Sequence, residues 1–248
     1  NDTHNGLAAW SELATLWPDE FPPESFSHMF APANTYLCDY NKQTDNKNGV
    51  LRHFNFRNDT AYHMNAALFG QYLKDHVAIP NGVKHILNEI SDYEKDFDGN
   101  ITKIICKDGL ELTADLWIDC TGFRSQLLEQ WMGAEFIPYD NILLNDFAWA
   151  TPIEYNDREK EMVNYTNCTA LGNGWVWNTP LWTRIGTGYV YSNKYVSDDD
   201  ALEEFKEYLK KTGSYRDDAK YRNLKFRVGI HKRIWVKNVC GIGLSASF

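Results

Sequence analysis

Apolar and polar positions along the chain change period several times, and each change marks an element. Residues 61–76, AYHMNAALFGQYLKDH, place Ala61, Met64, Leu68 and Tyr72 at three- to four-residue intervals among polar positions, the spacing of an amphipathic helix. From about residue 90 the pattern turns to alternation, interrupted by Asp98-Gly99 and Asp108-Gly109, which predicts a short antiparallel meander. That meander feeds ADLWIDCTGFRSQLLEQW (114–131). Here residues 115–120, with Leu116, Trp117 and Ile118 at their centre, read as a buried strand, Cys120-Thr121-Gly122 as a turn, and the remainder as a helix. A glycine at that joint opens backbone conformations closed to other residues and lets another group approach the main chain.

Residues 147–195 read as mostly β. Within ALGNGWVWNTPLWTRIGTGYVYSNKY, Trp175 and Trp177 are two apart, so an extended chain puts both on one face, about 7 Å from each other. Pro180 ends that strand, and residues 184–192 form the next. SDDDALEEFKEYLKKTG then reads as a helix, with Ser197 as cap, acids in its first turn, lysines in its last and Gly213 as its stop. The closing KFRVGIHKRIWVKNVCGIGLSASF reads as strand, turn, buried strand, glycine turn and helix start, with free amides after Gly243 suited to an anion.

A helix, a meander and a buried strand ending in a glycine turn match an α/β class: an FAD-binding two-dinucleotide-binding flavoprotein, glutathione-reductase- or hydroxylase-like. Such a domain also carries an N-terminal strand–GxGxxG–helix, and no such motif occurs in this sequence. Without that βαβ unit, apolar faces at 116–118 and 239–242 are expected to lie uncovered. The chain begins at Asn1 and stops at Phe248 where a helix has just started, which reads as an internal fragment of a longer protein. The expected organisation is a substrate-pocket segment at 1–60 and part of an FAD-binding domain at 61–124. A mostly-β substrate and tunnel region comes next at 125–222, with a truncated return to the FAD-binding domain at 223–248.

Composition narrows the classes. A formal charge of −9 and no basic stripe argue against nucleic acid as partner, and no apolar run approaches a membrane span. Five cysteines without a CxxC pair indicate neither a zinc site nor a disulfide framework and fit a reducing, cytoplasmic setting. Five Asn-x-Thr triplets in an asparagine-rich chain without a signal peptide read as chance. Aromatics make up 15% of residues, enough to line a large pocket or to fill a core.

The runs ADLWIDCTGFRSQLL, GWVWNTPLWTRIGTGYVYS and KRIWVKNVCGIGLSASF, in that order, resemble the flavin-dependent tryptophan halogenases, as do FSHMF and AYHMNA. The central block is similar to the family's Gly-Trp-x-Trp-x-Ile-Pro signature, with Thr179 in place of Ile. The resemblance implies a cofactor, FAD in its reduced form, delivered by a separate flavin reductase. It also implies a halide co-substrate, chloride or bromide, oxidised to the level of hypohalous acid. The substrate implied is a small aromatic, tryptophan or an indole-like relative, and a homodimer stays open. By the same resemblance Trp175, Trp177 and Pro180 belong to the wall between flavin and substrate. His28 and Phe30 line the indole pocket, and Gly122, Arg124, Gly241 and Gly243 lie at the cofactor. His63 reads as a helix histidine with a structural partner. The family's catalytic lysine and glutamate fall outside the matched positions, so no catalytic residue is named and the fragment by itself is expected to be inactive. A flavin-dependent aromatic monooxygenase would share the Gly122 turn without needing the tryptophan wall. A non-catalytic remnant binding an aromatic ligand is the other alternative.

Overall fold

A computed structural model of the chain describes residues 3–23, 25–30, 32–42 and 61–248, and its contacts divide them into two units. The first comprises Asn1–Met64, Ile153–Asn167 and Asn178–Gly186; the second comprises Asn65–Pro152, Cys168–Trp177 and Thr187–Phe248.

The first unit contains the helices Thr3–Leu16, Ser25–Phe30 and Pro32–Asp39. Trp10 joins the first two, its ring edge-on to Phe26 and its indole N–H donating to Ser25 Oγ at 2.9 Å. Asn164 ties the segment 153–167 to the third helix by donating to the Leu37 carbonyl, and to the chain just beyond that helix by donating to the Lys42 carbonyl. His63 has the structural partner expected of it, but not a helix. It precedes the first turn, with Nδ1 3.0 Å from the Pro180 carbonyl and Nε2 3.2 Å from Thr166 Oγ1.

The second unit opens on the helix Ala66–Tyr72, five residues later than the apolar spacing suggests. Asn65 sets that start, because its side chain accepts from the amides of Ala67 and Leu68 and satisfies donors that a helix begun earlier would have left to its own carbonyls. The helix widens into a π turn, Leu73–Ala78, and stops at Ile79–Asn81 before a left-handed Gly82. None of its residues is buried within the unit, so its apolar face (Leu68, Phe69, Tyr72) is open. Gly70 has nothing within 4 Å of where a Cβ would stand. Gly70→Ala should therefore stabilise the chain by about 0.5–1 kcal/mol through helix propensity alone, read as a small rise in melting temperature.

The meander is present where the turns place it: β1 (Ile90–Lys95), β2 (Ile101–Cys106) and β3 (Glu111–Leu112) pair antiparallel in the order β1-β2-β3. Behind it stand β4 (Trp117–Asp119) and β13 (Val239–Gly241), paired parallel in register Val239↔Trp117 to Gly241↔Asp119, with β12 (Trp235–Val236) outside β13. Ile101, Ile104, Leu127, Leu128 and Val239 form the core these strands share, with Tyr93, Trp117 and Trp131 packed on it. Val239 is buried, whereas Leu116, Ile118 and Ile242 are exposed, so one face of the parallel pair is open. Beyond β4 the chain makes a 3-10 turn, Gly122–Arg124, and a one-turn π helix, Gln126–Trp131, rather than a regular α-helix. The short strands β5 (Phe136–Pro138) and β11 (Gly229–His231) pair antiparallel.

A five-stranded sheet makes up the rest, in the order β10-β6-β9-β8-β7, from β6 (Phe147–Ile153), β7 (Asn167–Ala170), β8 (Gly174–Pro180), β9 (Ile185–Tyr191) and β10 (Arg222–Lys225). The helix Asp198–Lys211 starts at Ser197, whose hydroxyl accepts from Asp200 N, and buries Ala201, Phe205 and Leu209. It is held to β9 by polar ends as well as by packing. Tyr189 packs on Phe205 and donates to Glu204 at 2.6 Å, and Tyr191 donates to Asp198 at 2.7 Å. Burial, reinforced by these carboxylate acceptors, pushes both phenols far above their ordinary range.

Candidate functional site

The parallel pair β4 and β13 delivers two glycine turns side by side. Gly122 and Gly243 take φ of +68° and +57°, where a side chain is strained, and neither has an atom within 4 Å of a would-be Cβ. The two turns are bonded to each other: Ser125 Oγ donates to the Ser245 carbonyl at 2.8 Å, and Ser245 Oγ donates to the Gly122 carbonyl at 3.2 Å. Ser125 itself is left-handed, with φ of +42°, a conformation held in place by this buried bond.

Under the first turn lies Asp119, fully buried. One carboxylate oxygen accepts from the amide and hydroxyl of Thr121 (2.9 and 2.7 Å), the other from the amides of Leu127 and Leu128 (2.9 and 2.8 Å). Burial alone would raise its pKa. The donors, led by the Leu128 amide and Thr121, outweigh burial and hold the group below the ordinary aspartate value.

A second carboxylate fixes the other side. Glu129 receives a bidentate fork from Arg227 (3.0 and 2.5 Å) and lies 3.0 Å from His231 Nε2, while His231 Nδ1 lies 3.0 Å from the Ala246 carbonyl. The Arg227 hydrogen bonds, opposed by partial burial and helped by His231, keep Glu129 below its usual range. The segment 245–248 is thereby clamped to β11, with Gly229 and Phe248 exchanging backbone bonds.

These turns face a cavity of about 950 Å³ within the second unit. Phe123 and Leu244, next to Gly122 and Gly243, line one side with Phe226 and Phe248. The three phenylalanines contact one another, with centroids 5.0–6.4 Å apart. Trp175 and Trp177 of β8 line another side, their centroids 6.3 Å apart on the shared face that strand alternation requires. Ile142, Leu143 and Leu144 complete it, with Asn145, Asn223 and Lys225 as its polar lining groups. Such walls suit a planar aromatic ring system.

The geometry thus brings the sequence candidates Trp175 and Trp177 together with the immediate neighbours of Gly122 and Gly243. Gly241 is buried in β13, where a Cβ would meet Leu128 at 2.6 Å, so its local role is packing. Arg124 is exposed and absent from the cavity lining. Pro180 is buried at the end of β8, its carbonyl on His63. His28 sits on its own helix 3.2 Å from Asp39, and Phe30 ends that helix with its side chain outside the described residues.

Sequence reasoning passed over Asp119, Glu129, His231 and Glu204. Asp119 carried a usable signal, since an acid three residues before a turn glycine and followed by Thr121 and Ser125 is spaced to collect that turn's free donors. Glu204 carried none. From the helix it accepts the Gly172 amide at 2.8 Å and the Asn173 side chain at 3.2 Å, holding the turn that launches β8.

This α/β fold is shared with solved flavin-dependent halogenases, among them Xcc4156 of Xanthomonas campestris, 31% identical with a TM-score of 0.68 over 74% of this chain and 36% of that one. The structure of VirX1 is 50% identical and superposes with a TM-score of 0.88 over 96% of this chain and 45% of that one. The tryptophan halogenase of Shewanella frigidimarina is 36% identical, with a TM-score of 0.68 over 74% of this chain and 35% of that one. In sequence, the tryptophan 6-halogenase SttH of Streptomyces toxytricini is 36% identical over 188 residues, 76% of this chain and 35% of that enzyme. The family described as tryptophan halogenase matches residues 13–248, and the chain belongs to it. It spans about a third to a half of the length of these relatives. Among the described residues no helix is long and apolar enough to cross a membrane.

Proposed function

We propose that residues 1–248 are part of a flavin-dependent halogenase, an oxidoreductase that uses reduced FAD, oxygen and chloride or bromide to halogenate tryptophan or a related aromatic. A separate flavin reductase would supply the reduced cofactor. The observation that carries this reading is that Trp175 and Trp177 of the GWVWNTP block share one cavity with Phe123 and Leu244 of the two glycine turns.

The residues present fit a flavin. Phe123, Leu244 and Phe248 offer apolar walls to a planar ring, and Gly122 and Gly243 leave bare backbone on their open sides. When bound, the flavin supplies the oxygen chemistry that oxidises halide. The chain's own part is positional. Trp175 and Trp177 exclude water and keep organic substrate from the oxidising centre, and the Phe123–Phe226–Phe248 cluster braces the opposite wall. Pro180 ends the strand that carries the tryptophans, and Arg124 and Gly241 belong to the cofactor side. His28 and Phe30 are assigned to the aromatic substrate. The open apolar surface at Leu116, Ile118 and Ile242 supports a further βαβ unit of the parent protein packing there, which would supply the amides for the FAD pyrophosphate.

The test is made on the full reading frame containing these residues, with flavin reductase, NADH, FAD, oxygen, halide and tryptophan. Halogenated tryptophan should form. Trp177→Ala should lower that product while peroxide released per NADH rises and FAD affinity is kept. No halogenated product from tryptophan or indole with either halide would sink the reading. An unchanged ratio of product to peroxide, in a variant destabilised by the roughly 3–5 kcal/mol typical of a core tryptophan, would reduce Trp177 to packing.

A further inference from the structure

Gly188 in β9 lies behind the aromatic wall and is buried. A Cβ built there would stand 2.1 Å from Cη2 and 2.4 Å from Cζ2 of Trp177, and 2.6 Å from the Trp149 carbonyl oxygen. The far edge of the Trp177 indole therefore rests on bare backbone. Around it the neighbours are fixed. Thr187 Oγ1 donates to the Trp177 carbonyl at 2.8 Å, and Trp149 is tied down by its indole N–H to the Asp198 carbonyl at 2.8 Å. On the cavity side Trp177 faces open space, beside the Trp175 ring at 6.3 Å.

We propose that Gly188 is the positioning residue for Trp177: its missing side chain is the seat of the indole, and it sets how far that ring reaches into the cavity. An alanine at 188 must displace the far edge of the indole, and the open space that Trp177 lines is the cavity, so the ring is pushed that way and the free space beside Trp175 shrinks. The consequence for which ring systems are admitted rests on the flavin-halogenase reading of the cavity; the seat itself rests on geometry alone.

The test uses the full reading frame containing these residues, labelled with 5-fluorotryptophan, the Trp177 and Trp175 resonances being assigned by Trp177→Phe and Trp175→Phe. Gly188→Ala should shift the Trp177 and Trp175 fluorine resonances and leave that of Trp10, in the other unit, in place. It should also lower Tm by about 2–12 °C, the range for an overpacked methyl in a domain of about 150–250 residues. In a Trp177→Leu background the same alanine should cost less than half as much, because the two indole atoms it strikes hardest are gone and only the Trp149 carbonyl oxygen remains in its way. An unmoved Trp177 resonance, or an equal Tm loss in both backgrounds, overturns the proposal. Should Gly188→Ala fail to fold, a folded Trp177→Leu/Gly188→Ala chain supports the seat. An unfolded one overturns it, assigning the glycine to the Trp149 carbonyl instead. Halogenation by the full reading frame is independent of these outcomes, so either reading can fail without the other.

Discussion

Asp119→Asn is expected to cost about 3 kcal/mol and to flatten the acid limb of the stability curve. The carboxylate accepts four hydrogen bonds in a site with no solvent exposure. An asparagine keeps the shape but can turn only one oxygen toward the protein. If that oxygen serves Leu127 and Leu128, its NH2 group confronts the Thr121 amide, and one buried donor is left unpaired at about 1–3 kcal/mol. The remaining bonds lose their charge assistance, which accounts for the rest. Asp119 has a lowered folded pKa, so its stabilisation is complete above the ordinary aspartate value of 3.8 and is lost as pH falls through the depressed folded value. Urea unfolding of both proteins near pH 7 should show the full difference, and the gap should narrow at about pH 3 and below. Curves that stay parallel across that range would mean that Asp119 is not the ionised anchor of the turn. Because the Ser125–Ser245 bond joins the two turns, the variant should also loosen the Gly243 side, visible as faster amide exchange at Ser245 and Ala246.

Gly174→Ala should be costlier still, about 3 kcal/mol or more, and should scatter the aromatic wall. Its Cβ would lie 1.9 Å from the Val190 carbonyl oxygen and 2.9 Å from the Tyr189 ring. Neither can yield cheaply. The carbonyl belongs to β9 beside β8, and Tyr189 is fully buried with its hydroxyl on Glu204. The strand must shift at its first residue, and Trp175 and Trp177 shift with it. Near-ultraviolet circular dichroism, sensitive to the tilted Trp175–Trp177 pair, should lose intensity along with the fall in melting temperature. A native-like spectrum and a loss under about 0.5 kcal/mol would show that the β8–β9 pairing tolerates a methyl there.

Elements whose cause is local were legible in the chain. Asp98-Gly99 and Asp108-Gly109 divide the meander where expected. Ser197 caps the helix Asp198–Lys211, and Gly213 succeeds it in the left-handed region, because turn and cap chemistry is settled by a few adjacent residues. Alternation alone put Trp175 and Trp177 on one face. The start of the Ala66–Tyr72 helix was misplaced because apolar spacing says nothing about where donors must be capped, whereas Asn65 does. The helix expected after Gly122 became a 3-10 turn and a π turn, pulled into that shape where Asp119 collects the amides of Leu127 and Leu128.

By itself the sequence determined the strand-and-turn order, the family, and the pairing of two tryptophans on one strand, since each depends on neighbours within a few residues or on motifs read in order. The tertiary structure alone decided which glycines matter and why. Gly122 and Gly243 are open turns, Gly241 is packing against Leu128, and Gly188 is the seat of an indole eleven positions upstream. A missing Cβ means nothing until the chain has folded back and something has come to occupy its place, and the same holds for the Glu129 carboxylate, which acquires its partners Arg227 and His231 only across about a hundred residues of intervening chain.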